Sequence, residues 1–130
     1  MRWLILAALA GLAAPAAAQE PMSPAAFLDA LEGRTATFVM RDGGDLVGIE
    51  RFLDRARTVW AHADGSCAYG TIMLRGPQVC FTYDDDPGVS HCWLPFRDGE
   101  THVRSLSSGE VQRISRIDDS YVGCDGEPLS

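Results

Sequence analysis

Four cysteines, three histidines and a run of three aspartates are the residues whose types could do chemistry in this chain. His91 stands beside Cys92, and His62, His102, Cys67 and Cys80 add further donors of the kind zinc or copper takes. The spacing speaks against a metal: there is no C-x-x-C, H-x-x-x-H or H-E-x-x-H, and strand neighbours such as His91 and Cys92 point to opposite faces. Bridged cysteines and surface histidines are expected instead. A cysteine nucleophile needs an unpaired thiolate, which an even count of four does not leave over. G-x-S-x-G is absent, and Ser105, Ser107 and Ser108 read as turn residues. Asp84-Asp85-Asp86-Pro87-Gly88 could attract calcium, but calcium loops alternate ligands with spacers, so a solvated turn is expected. Eighteen acidic residues make accidental carboxylate pairs common in any fold, so no glycosidase pair stands out. The reading is therefore no catalytic residue, no metal and no cofactor.

The aromatic residues Trp60, Tyr69, Phe81, Tyr83, Trp93 and Phe96 all fall in the middle of the chain. They can fill a core, or they can line a concave pocket for a small apolar or sugar ligand. Trp60, Tyr69, Phe81 and Trp93 are the candidate ligand-binding residues, with Tyr69 and Phe81 expected on one side of the sheet and Trp60 and Trp93 on the other.

The elements that must position these side chains are mostly strands. Ser23-Pro24 supplies an N-cap and a first-turn proline, and Phe27, Leu28 and Leu31 share one face. Gly33 stops a helix of about nine residues, with Met22 placed to staple onto Phe27. From Thr35 the pattern changes to short runs rich in β-branched and aromatic residues: 35–41, 46–53, 58–62, 67–74, 78–83, 91–96, 101–106 and 111–117. Turn clusters such as Asp42-Gly43-Gly44-Asp45 and Asp64-Gly65-Ser66 separate them. No connection is long enough for a crossover helix, so the expected fold is mainly β: a short N-terminal helix, then an antiparallel meander of about eight strands closing into a small barrel or rolled sheet. In the last run, Val111, Ile114 and Ile117 are spaced by three, which suits a helical turn as well as a strand.

A symmetric turn at Asp84–Gly88 would set Cys80 opposite Cys92, leaving Cys67 to hold the C-terminal tail through Cys124. The other two connectivities stay open. Met1–Ala18 has one charge at Arg2, an apolar run from Trp3 to Ala14 and Ala16-Ala17-Ala18, the pattern of a signal peptide. That run is shorter than the roughly 18 residues of a membrane span. The expected organisation is a signal peptide over 1–18, a tether and short helix over 19–34, and one β domain over 35–130. Eleven basic residues, every one arginine, stand against eighteen acidic ones. An acidic surface repels phosphate, so nucleic acid is excluded as a partner. The short alanine-rich leader, the even cysteine count and the absence of lysine point to a periplasmic or secreted bacterial protein.

The segments Asp64-Gly65-Ser66-Cys67, Cys80-Phe81-Thr82-Tyr83 and Cys92-Trp93 resemble, in this order, a D-G-x-C, C-F-x-Y and C-W pattern of small secreted alphaproteobacterial proteins with four cysteines. The resemblance implies export and disulfides and carries over no functional residue. More distantly, the outline is similar to periplasmic inhibitors of proteases and lysozymes, which are also small antiparallel barrels. The preferred expectation is a non-catalytic periplasmic binding or accessory module whose partner is a protein or a small apolar or sugar ligand. An envelope hydrolase or its inhibitor is the alternative, and a structural subunit of an envelope assembly the third.

Overall fold

The computed structural model describes residues 8, 10, 11 and 19–124. The proposed signal peptide lies outside the described residues except for those three positions, and no described helix is long and apolar enough to cross a membrane.

A two-residue strand, β1 (Glu20–Pro21), precedes the helix α1 (Pro24–Leu31). Eight strands follow: β2 (Thr35–Met40), β3 (Leu46–Phe52), β4 (Arg57–His62), β5 (Cys67–Arg75), β6 (Gln78–Tyr83), β7 (His91–Asp98), β8 (Glu100–Ser105) and β9 (Val111–Asp118). Each of β2 to β9 pairs antiparallel with its neighbours in sequence, and β9 pairs back onto β2, so the meander is a closed eight-stranded barrel. Closure removes the exposed edges that an open sheet of this size would present.

β1 was read as part of a tether. It forms a strand because β7 separates from β6 beyond Trp93, and Glu20 and Pro21 take the vacated places opposite Arg97 and Phe96. The threefold spacing in the last run also has a strand explanation. Ser115 is an extra residue between Arg116, opposite Thr37, and Ile114, opposite Phe38. This bulge brings Ile114 and Ile117 to the same face although they are three apart. A second bulge sits on the other side of Phe38, where Val47 is the extra residue of β3.

α1 closes one end of the barrel. Ser23 accepts a hydrogen bond from the Ala26 N–H at 3.1 Å, and Gly33, at φ +72°, turns the chain into β2. Phe27, Leu28 and Leu31 are buried in the core with Phe52, Val79 and Ile114, and Met22 packs against the same cluster. At this end the Arg55 guanidinium bonds Asp29 at 2.7 Å, Glu32 at 3.3 Å and the Ala25 carbonyl at 3.3 Å, tying the β3–β4 turn to the helix.

Both disulfides are present as the register suggested, Cys80–Cys92 across β6 and β7 and Cys67–Cys124 from β5 to the tail. The tail lies across the outside of the barrel. The Ser120 carbonyl accepts from Thr35 Oγ1 and from Arg51 Nη1 at 3.2 Å, and the Arg51 guanidinium lies 4.4 Å from the Tyr121 ring centroid. A second apolar cluster forms beneath it from Val59, Ala61 and Cys124, with Val122 packed alongside.

Candidate functional site

The described residues fill one end of the barrel and leave the rest of its interior open. A cavity of about 440 Å³ runs from Phe27 of α1 to Asp85 and Asp86 in the β6–β7 turn. It falls within the roughly 300–1,000 Å³ typical of small-molecule sites. Its walls come from nearly every element around the barrel, because alternate residues of each strand face inward.

Aromatic rings dominate these walls. Phe38 and Trp60 lie 6.0 Å apart between centroids, Trp60 and Tyr83 6.4 Å, and Phe81 and Tyr83 6.1 Å with nearly parallel planes. Two glycines give them room. A Cβ at Gly48 would stand 2.3 Å from the Trp60 ring, and one at Gly70 would stand 2.8 Å from the Tyr83 ring. Small residues on the inner face thus let the large rings of neighbouring strands lie against the wall.

One acid lies within this apolar lining. Glu50 is buried on β3, and the Tyr83 hydroxyl donates to its two carboxyl oxygens at 3.0 and 2.9 Å. Burial raises its pKa from 4.5 to about 8, against the opposing effect of the Tyr83 hydrogen bond, so the carboxyl is largely protonated at neutral pH. The Thr58 hydroxyl also favours the anion but makes no hydrogen bond of full geometry. Tyr83 in turn is held well above the ordinary tyrosine range by burial and by the Glu50 charge.

At the mouth stand two histidine–aspartate pairs. His62 Nε2 is 2.9 Å from Asp85 and His91 Nε2 is 3.3 Å from Asp86. The Trp60 indole N–H donates to His62 Nδ1 at 3.1 Å, which leaves the neutral ring's hydrogen on Nε2, facing Asp85. Asp84 points elsewhere and accepts the Tyr69 backbone N–H at 2.9 Å. The aspartate run is therefore more than a solvated turn, since two of its carboxylates anchor the ring nitrogens of cavity-lining histidines. His62 and His91 line the mouth with side chains 41% and 39% exposed, so the expected surface placing holds for them in part. His102 is buried, stacked on Phe96 at 5.1 Å between centroids.

Of the four expected ligand-binding residues, Trp60, Phe81 and Trp93 line the cavity and Tyr69 does not. Tyr69 is 37% exposed. The register explains the correction: Trp60 is opposite Ala68, so Ala68, Gly70 and Ile72 face inward and Tyr69 outward. Ile72 is opposite Phe81 and Val79 opposite Trp93, so Trp93 shares the inner face with Trp60 as expected, and Phe81 joins them there instead of lying across the sheet with Tyr69.

Glu50 had no distinguishing signal in the sequence. Within Leu46–Leu53, one alternate set carries Glu50 and the other Arg51, so polarity alone does not say which face is inward. Among the described residues no group of three or more histidine, cysteine or acidic side chains is arranged to hold a metal ion.

The fold and site together define a small disulfide-bonded up-and-down β-barrel with an aromatic interior cavity. Comparison with known proteins found no matching family model, no matching curated protein and no matching solved structure.

Proposed function

We propose that this protein is a non-catalytic binding module of the bacterial periplasm or exterior that holds a small, largely apolar molecule inside its barrel. The observation that carries this reading is the cavity of about 440 Å³, closed at one end by Phe27 and lined by Trp60, Phe81 and Trp93. A domain this small has little core, and an unfilled interior forgoes packing that a guest would restore. The two disulfides and the signal-like leader support an oxidising compartment.

Native mass spectrometry of the protein purified without denaturant tests the reading. A mass excess that vanishes on denaturation is expected, as is uptake of the neutral dye Nile red, and both should fall in Val103→Trp, which fills the lining. A bare chain that also takes up no dye would sink the proposal.

A hydrolase is the second reading. It is favoured by the pairing of His62 with Asp85 and by a buried acid, Glu50, raised to about 8. It requires turnover of an added ester, peptide or glycoside that Glu50→Gln abolishes.

A further inference from the structure

We propose that the ligand of this cavity carries a basic nitrogen, an aliphatic or aryl-alkyl amine bound as its ammonium ion between the Glu50 carboxylate and the surrounding aromatic rings. The proposal rests on the binding role argued above and specifies its chemistry.

Charge is the first argument. The ionisable groups lining the cavity are Glu50 and Tyr83 within, and His62, His91, Asp85 and Asp86 at the mouth. Seen from Glu50, β6 contributes Tyr83, β4 contributes uncharged Trp60 and Thr58 with His62 beyond them, and β7 contributes His91. β2, β8, β9 and α1 contribute the uncharged Phe38, Val103, Gln112 and Phe27. Among the described residues no arginine lines the cavity, and the chain has no lysine. An anion entering this space would meet three carboxyl groups and no permanent cation, whereas a cation would meet its complement.

Recognition geometry is the second. A buried carboxyl in an apolar site is unfavourable as an anion unless a charge or several donors compensate it. Here Tyr83 supplies one hydroxyl for two oxygens, and the Thr58 hydroxyl stands near without a hydrogen bond of full geometry. An ammonium group would supply the missing donors and charge at once. Trp60, Phe81, Tyr83 and Phe38 line the same cavity, and an aromatic ring beside a desolvated cation can stabilise it through its negative face.

Proton accounting follows. In its protein surroundings Glu50 is largely protonated at neutral pH, so an incoming ammonium ion must expel that proton. Binding near pH 7 releases close to one proton per amine, and the affinity rises toward pH 8 and levels off above it.

The experiment uses the disulfide-bonded protein and three matched probe pairs: 2-phenylethylamine, 4-phenylbutylamine and 2-(1-naphthyl)ethylamine, each against the corresponding alcohol. Calorimetry at pH 7 in two buffers of different ionisation enthalpy gives affinity and proton release together. The expected result is at least one amine bound tenfold or more tighter than its alcohol, with proton release, and Glu50→Gln bringing that ratio to about one. Proton release is read on the unaltered protein, so the test stands even if the variant folds poorly. Amines and alcohols bound equally, or amines bound without proton release, would overturn the amine assignment and leave the binding role in place. Failure of all six probes, together with no Nile red uptake, would overturn both.

Discussion

Gly48 and Trp60 occupy one another's space: the indole of Trp60 lies where a side chain at 48 would begin, with a Cβ only 2.3 Å from ring carbon Cζ2 and 2.7 Å from the Ala61 carbonyl. The Trp60 ring can approach β3 this closely because the wall there has no side chain. Gly48→Ala is expected to destabilise the protein by about 1–3 kcal/mol, the usual effect of overpacking. It should also push the indole toward the cavity. Urea denaturation followed by tryptophan fluorescence reads both, and an unchanged midpoint with an unchanged emission maximum would contradict the packing described.

Burial of Glu50 makes stability depend on pH in the direction opposite to that of a salt-bridged acid. Its pKa is raised from 4.5 to about 8 on folding, so between these values the native state binds more protons than the unfolded chain. Stability contributed by this group is full below about pH 4.5 and is lost as pH rises through 8, by on the order of 5 kcal/mol over the whole interval. Glu50→Gln should flatten this part of the profile. Chemical denaturation midpoints at pH 5, 7 and 9 for both proteins supply the comparison, and parallel profiles would contradict a protonated native Glu50.

At the closed end, packing outweighs charge. Phe27 is buried, meets Phe52 edge-on at 6.0 Å and lines the cavity floor, so Phe27→Ala should lower stability by about 3–5 kcal/mol and enlarge the cavity. Arg55 makes two ion pairs to solvent-exposed acids of the helix region, and Arg55→Ala should lower stability far less. Thermal melts of the two variants decide the order.

The two disulfides should differ in worth. Cys67–Cys124 spans 57 residues and Cys80–Cys92 spans 12, so chain entropy assigns about 4 kcal/mol to the first and about 3 kcal/mol to the second. Cys67→Ala with Cys124→Ala should also release the tail from Val59 and Ala61, visible as faster amide exchange along β4. Slower exchange there, or a smaller loss than for the other pair, would be inconsistent with a tail held chiefly by its crosslink.

The strands were legible because each apolar run is short, rich in β-branched and aromatic residues, and closed by an Asp, Gly or Ser cluster; β6, read as 78–83, has those bounds in the structure. The Cys80–Cys92 bridge was legible from turn symmetry. Which residues face inward was not, since that depends on the register between strands and on the bulges at Val47 and Ser115, and neither leaves a local mark. For this reason Phe81 was assigned to the wrong face, and Tyr69, correctly set opposite Trp60, was still counted among the ligand-binding candidates. His62 and His91 looked like surface residues because their partners, Asp85 and Asp86, act from a turn that composition alone describes as solvated.

Pairing β9 to β2 joins the last strand of the sheet to the first long one, bringing Ala36 opposite Ile117. A chain made from its N-terminus exposes β2 early and must leave one of its edges unpaired until about eighty further residues have emerged, a span read from that pairing. Ring closure therefore waits for β9, and the bridge to Cys124 waits for the residues beyond it. Until then, any agent that shields a bare strand edge bears on how much of the protein matures correctly.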